Sequence, residues 1–119
     1  MKIYVSHSRE FDFEEELYKP LGESNLKLDN TFFFPHENGK DVNTKDEVLN
    51  SDLILAEVSY PSTGQGIECG WANMAQIPIL CVAKEGSNIS ASLKHLTDKS
   101  IVYSNAEDLV SKLSVFLSK

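Results

Sequence analysis

An apolar run, Asp52-Leu53-Ile54-Leu55-Ala56-Glu57-Val58, passes through Ser59-Tyr60-Pro61-Ser62-Thr63 into a helical pattern from about Gly64 to Gln76. A near-continuous apolar strand is the mark of burial on both faces, and such a strand needs helices above and below it. The tight loop leads to a helix N-terminus, whose free amides suit a polar ligand. Glu68 is expected in the first turn of that helix. A carboxylate there would repel an anion, but it suits an electron-poor carbon. The combination points to chemistry on a sugar rather than to phosphate capture alone.

The flanking sequence extends the same architecture. Lys2–Ser6 alternates and is β-branched, so it reads as a first strand. Phe11–Leu21 is a helix pattern with Phe13, Leu17 and Leu21 on one face, and Pro20 is placed to kink or end it. Asp29–Phe34 reads as a second strand, and Pro35-His36-Glu37-Asn38-Gly39 as a loop. Thr44 is expected to cap a short helix over Lys45–Asn50. Ile67, Trp71 and Met74 share an apolar stripe on the helix after Gly64. Pro78–Ala83 is a fourth strand, Ile89–His95 a short helix and Ser100–Tyr103 a fifth strand. Ala106–Leu117 closes the pattern with Leu109, Leu113 and Phe116 inward and Asn105 as its cap.

Strands alternating with helices predict a single α/β domain over residues 1–119. The expected form is a flavodoxin-like, Rossmann-like three-layer sandwich with a five-stranded parallel sheet in order 2-1-3-4-5. In that order the loops after Ser6 and after Val58 meet at one crevice. Composition narrows the ligand. A formal net charge of -7 disfavours nucleic-acid backbones and anionic membranes. No apolar run approaches membrane-spanning length, and Met1–Ser6 does not read as a signal peptide. Cys69 and Cys81 read as two buried thiols of a cytoplasmic protein. The two cysteines and three histidines show no metal-ligand spacing, so no metal and no cofactor are expected.

At the crevice, helix amides near Gly64 and Gly66 would favour an ionised Glu68. An ionised carboxylate can attack an anomeric carbon and form a glycosyl ester, which a second nucleophile resolves. Tyr4 is placed to orient the carboxylate. Ser6, His7, Ser8 and Arg9 come from the first loop. Ser62 and Thr63 offer hydroxyls, and Gly64 and Gly66 allow close backbone approach. Each has a plainer reading: Glu68 as a dipole partner, Ser62 or Thr63 as a cap, Tyr4 as a core ring, His7 as a surface loop residue.

Asp52–Val58, Pro61-Ser62, Gly64-x-Gly66-x-Glu68-x-Gly70 and Pro78-Ile79-Leu80-Cys81 resemble the nucleoside 2-deoxyribosyltransferase superfamily, in particular its 2'-deoxynucleoside 5'-phosphate N-hydrolase branch. Lys2-Ile3-Tyr4-Val5 and Ile89-Ser90-Ala91-Ser92-Leu93 fit the same pattern. The resemblance implies Glu68 as nucleophile, Tyr4 as active-site tyrosine, and Ser62 and Ser8 as ligand contacts. It implies that Ser90 reaches a neighbouring subunit's site, and hence a homodimer or higher oligomer. Two positions depart from the pattern. His7-Ser8-Arg9-Glu10-Phe11 replaces a Gly-Ser-Ile-Arg-Gly-like loop, which weakens the case for 5'-phosphate recognition. Thr44 stands where the family has an aspartate that assists the leaving base, so either the helix shifts and Asp46, two residues on, is the catalytic acid, or proton donation differs here.

The implied activity is cleavage of the N-glycosidic bond of a nucleoside or its 5'-monophosphate, with the sugar passed to water or to a second base. Two other readings share the fold. Val5-Ser6-His7-Ser8 resembles the opening of TIR-type domains, some of which cleave NAD, and a nucleotide-binding module without turnover is the other.

Overall fold

A computed structural model describes residues 1–37 and 43–119. Five strands form one parallel sheet: β1 (Lys2–His7), β2 (Thr31–Phe33), β3 (Leu53–Glu57), β4 (Ile79–Lys84) and β5 (Ser100–Tyr103). Their order is β2-β1-β3-β4-β5, as the alternating pattern predicts. The register pairs Ser6 with Ala56 and His7 with Glu57, so the ends of β1 and β3 lie side by side at the reversal point of the sheet.

Among the described residues four α-helices cover the two faces: α1 (Lys19–Glu23), α2 (Thr44–Leu49), α3 (Thr63–Met74) and α4 (Ala106–Leu117). The period-2 alternation of the strands divides the core. Ile3, Val5, Leu53, Leu55, Leu80 and Val82 pack with Leu17 and Leu21 of the first helical segment and with Leu109 and Leu113 of α4. Tyr4, Ile54, Ala56, Cys81 and Ala83 pack with Val48 of α2 and with Cys69 and Ala72 of α3. Each fully buried leucine or isoleucine contributes about 1.5–3 kcal/mol relative to exposure.

Several local expectations are corrected. The first helical segment begins with a π-turn, Glu14–Tyr18, in which the Lys19 amide reaches back to the Glu14 carbonyl. Pro20 has no amide to donate to the preceding turn, and the ladder is widened just before it. Asn43, not Thr44, caps α2 and accepts from the Asp46 amide. The segment Ile89–His95 is a 3-10 turn over Ala91–His95. The face of α3 is also different: it buries Gln65, Cys69 and Ala72, whereas Ile67 and Met74 are 50% and 85% exposed. Small residues let α3 lie close to the sheet, which turns Ile67 and Met74 outward, while Trp71 packs partly buried against the same core. The expected loop at Pro35–Gly39 is a turn up to Glu37, and residues 38 and 39 fall outside the described part. Among the described residues no helix is long and apolar enough to cross a membrane.

Candidate active site

Alternation along β1 aims Tyr4 and Ser6 at the face covered by α3, where Glu68 arrives. Ser62 caps α3 and its Oγ accepts from the Gln65 amide at 3.4 Å. Glu68 therefore falls in the second turn, and the first turn holds no acidic residue. This corrects the expectation of a first-turn carboxylate, and with it the role given to the helix terminus, whose field fades within that turn. Two hydroxyls hold Glu68 instead. Tyr4 Oη donates to Oε2 at 2.5 Å, and Ser6 Oγ donates to Oε1 at 2.8 Å. The Tyr4 bond has the length of a charge-assisted hydrogen bond, and the Ser6 bond that of an ordinary hydroxyl contact.

Tyr4 is fully buried and stacks on Phe33 with centroids 5.5 Å apart. Burial, then the Glu68 hydrogen bond and charge, push its hydroxyl far above the ordinary tyrosine range. It stays a proton-bearing donor at any working pH. Thr44, at the start of α2, lies near enough to Tyr4 to oppose part of that rise. The residue in place of the family aspartate thus faces the site. Asp46 does not share that face. Positions two apart on a helix lie on roughly opposite sides, and Asp46 is exposed, with Oδ2 accepting from Asn43 Nδ2 at 3.2 Å.

The first-loop candidates separate. His7 is the last residue of β1, not a surface loop residue, and is only 4% exposed. Its ring lies on the opposite face of the sheet, within 4.5–6.1 Å of the rings of Phe11, Phe13, Tyr18 and His36. Nδ1 lies 2.7 Å from the Ser8 carbonyl, so it carries the proton. Nε2 then accepts from Tyr18 Oη at 2.5 Å. Burial lowers its pKa to about 4, and a neutral ring with both nitrogens engaged is not a ligand contact. Ser8 is buried and its Oγ accepts from the Glu10 amide at 3.0 Å. Arg9 is exposed, and its charge depresses both His7 and His36.

Gly64 and Gly66 are exposed, and a Cβ on either would meet nothing within 4 Å. The fold itself does not require glycine there; the space outside the helix is open. Ser90 is exposed just before the 3-10 turn and makes no capping bond.

Three residues were not singled out for the site from the sequence. Tyr18 Oη donates to His7 and accepts from the His36 amide at 3.1 Å, which ties the end of β1 to the chain after β2. His36 is half-buried. Burial and Arg9 lower its pKa while the charge of Glu68 opposes them, so it shares the surroundings of both charges. Gln65 is buried and donates to two strand-end carbonyls. A lone long amide between Gly64 and Gly66 was its only signal in the sequence.

Cys69 and Cys81 are free and buried, and burial pushes the Cys69 thiol up to about 12. Among the described residues no three metal-ligating side chains are grouped. A hollow of about 1160 Å³ lies elsewhere, lined by residues such as Pro20, Leu26, Leu28, Val110 and Val115. It contains none of the hydroxyl–carboxylate groups. The candidate site is therefore defined by its side chains and is open to solvent in one chain.

No family model matches the chain. Over 55 residues it is 40% identical to a protein of Methanosarcina barkeri that carries the proposed name 2'-deoxynucleoside 5'-phosphate N-hydrolase 1. That match takes in 43% of this chain and 35% of the relative, about a third of its length. In fold it is similar to a CMP N-glycosidase of Clostridium botulinum, with TM-score 0.70 and 19% identity over 98% of this chain and 99% of the other. It is also similar to a 2-deoxyribosyltransferase of Bacillus psychrosaccharolyticus, with TM-score 0.62 and 22% identity over 92% and 90% of the two chains. Sequence and fold together uphold the resemblance of this chain to the nucleoside 2-deoxyribosyltransferase superfamily, on the side of its 2'-deoxynucleoside 5'-phosphate N-hydrolase branch.

Proposed function

We propose that this chain, acting as one nucleoside 2-deoxyribosyltransferase-like domain in the cytoplasm, cleaves the N-glycosidic bond of a nucleoside or its 5'-monophosphate through a glycosyl–Glu68 ester. The observation that carries the reading is the pair of hydroxyl donors, Tyr4 and Ser6, on one partly buried carboxylate. A carboxylate has about four acceptor sites, so two hydrogen bonds aim it and leave lone pairs for attack. One Glu68 oxygen bonds to C1' as the C1'–N bond breaks, and that electron pair leaves with the base. Water then attacks C1', its oxygen replaces the Glu68 oxygen, and its proton passes to solvent; a second base in place of water gives transfer instead. Asp46 is turned away, so the departing base takes its proton from water or from another group near Thr44.

The test is a panel of nucleosides, their 5'-monophosphates and NAD, with released base measured by chromatography, with and without an acceptor base. Release from a nucleoside or its monophosphate, absent in Glu68→Gln, supports the reading. Equal release by a folded Glu68→Gln protein refutes it. Since Ser8 is engaged by Glu10 and the family's loop glycines are missing, the preference for monophosphate over nucleoside is expected to fall well short of a thousandfold.

The openness of the site supports a homodimer in which Ser90 of one chain completes the site of its partner. Ile67, next to Glu68, and Met74, at the end of α3, are exposed and offer apolar area for such a contact. Light scattering at micromolar concentration tests the assembly. Mixing inactive Glu68→Ala with inactive Ser90→Trp tests the shared site, since hybrid dimers regain activity only if Ser90 acts in trans.

A further inference from the structure

At the reversal point the ends of β1 and β3 run side by side. The side chain of Gln65, in the first turn of α3, bridges them through the carbonyls of Ser6, next to last in β1, and Glu57, last in β3. It is 6% exposed, and its Nε2 donates to the Ser6 carbonyl at 3.1 Å and to the Glu57 carbonyl at 2.7 Å. Both amide protons are therefore used, one on each strand. The backbone N–H of the same residue donates to the Ser62 cap. Gln65 thus ties the start of α3 to both strands and to its own cap.

The geometry points to Gln65 as a positioning residue for Glu68. The two are three apart, so they lie one above the other on the same helix face. Ser6 is held at both ends by this face: its carbonyl takes Gln65, and its hydroxyl gives to Glu68. Fixing the Ser6 carbonyl against α3 sets how far the helix sits from β1. That distance decides whether the Glu68 carboxylate can reach the Tyr4 and Ser6 hydroxyls together. A helix packed on the small residues Cys69 and Ala72 has little side-chain relief to hold it in register, so a directional clamp in its first turn has more to do. The consequence for turnover rests on the reading of Glu68 as nucleophile; the clamp itself does not.

The experiment compares the wild-type chain with Gln65→Met, which keeps the length and loses both donors, and Gln65→Asn, which keeps a donor too short to span both carbonyls. Thr97→Val is the control. Thr97 Oγ1 donates to the Ile79 carbonyl at 2.7 Å at the other end of the sheet, a side-chain-to-strand bond with no part in the site. Base release is measured as kcat and KM. The Tyr4 hydroxyl proton, which a hydrogen bond this short to a carboxylate shifts far downfield, is followed by nuclear magnetic resonance. Misplacing a reacting group by about 1 Å costs on the order of a hundredfold in rate. Gln65→Met is expected to lose kcat on that scale with KM within about threefold, and to lose the downfield Tyr4 signal. Gln65→Asn should fall between it and the wild type, while Thr97→Val should lower thermal stability but leave kcat and the signal intact. Wild-type kcat and an unchanged Tyr4 signal in both Gln65 variants would overturn the proposal. If the wild-type chain releases no base, the glycosidic reading fails, and the Tyr4 signal alone decides the role of Gln65. If Gln65→Met does not fold, Gln65→Asn carries the same two readouts.

Discussion

The carboxyl end of the sheet carries two tyrosine–glutamate pairs, one on each face, and they differ in what else surrounds them. On the α3 face Tyr4 and Ser6 hold Glu68, which is partly buried and keeps unused acceptor sites. On the α4 face Tyr103 donates to Glu57, and Glu57 also accepts from the Ser59 amide at 2.6 Å and the Ser59 hydroxyl at 3.0 Å. Glu57 is 1% exposed. The Ser59 hydroxyl in turn accepts from the Lys84 amide at 2.8 Å, so Glu57 pins the loop after β3 to β4 and β5. The same two side-chain types thus serve two ends. A carboxylate held by three donors and shut from solvent is structural, whereas Glu68, held by two donors and only partly buried, keeps an exposed side. Charge and hydrogen bonding alone do not separate them; access does.

The comparison breaks most sharply under neutral, isosteric replacement. Glu68→Gln is expected to lower base release by about 10⁴-fold or more, because the proposed covalent step is removed, with little change in the denaturant midpoint. Glu57→Gln is expected to do the reverse. It should lose about 2–4 kcal/mol of stability, since buried donors lose a charged acceptor, while the folded protein keeps kcat. Similar activity losses from both would erase the distinction.

The tyrosines give a smaller version of the same contrast. Tyr4→Phe should cost roughly 10–100-fold in kcat as the carboxylate loses its shorter bond. Tyr103→Phe should appear as about 1–2 kcal/mol of stability, read by urea unfolding, with turnover retained.

The α1 face adds a pH signature that the α3 face lacks. The folded pKa of His7, about 4, lies below the ordinary value of 6.5. Above pH 6.5 neither the folded nor the unfolded chain takes up that proton, and stability is at its full value. As pH falls from 6.5 towards 4 the unfolded chain binds the proton first, and up to about 3 kcal/mol is lost. His36 is depressed in the same direction and adds to the slope. Unfolding curves between pH 6.5 and 5, above most carboxylate titration, should show this slope, and His7→Phe should flatten it. A slope unchanged in His7→Phe would place the proton elsewhere.

The smallest effect expected is at Asp46. Asp46→Asn should change kcat by less than about twofold and stability by about 0.5 kcal/mol, the scale of a weakened cap interaction. A large drop in kcat would mean that α2 turns when the substrate binds.

Local pattern and reading direction were enough for much of this molecule. The apolar run into Ser-Tyr-Pro-Ser-Thr-Gly, the alternation in Lys2–Ser6 and the cap at Asn105 depend on neighbours in the chain, and each appears as expected. Strand order followed because parallel strands joined through helices have few permitted arrangements. Tyr4, Ser6 and Glu68 were all legible as one crevice for that reason. His7 was misplaced because one more residue of β1 reverses the face, and the end of a strand is not marked locally. The outward face of α3 was misread because apolar residues at helical spacing do not say which side the sheet is on. Gln65, Tyr18 and His36 acquire meaning only from carbonyls and rings far away in sequence. The sequence by itself thus determined the layers, their order and the meeting of two loops, since these rest on periodicity and chain connectivity. Only the tertiary structure decided which glutamate keeps an exposed side and which is locked away, because access depends on what long-range packing brings against each.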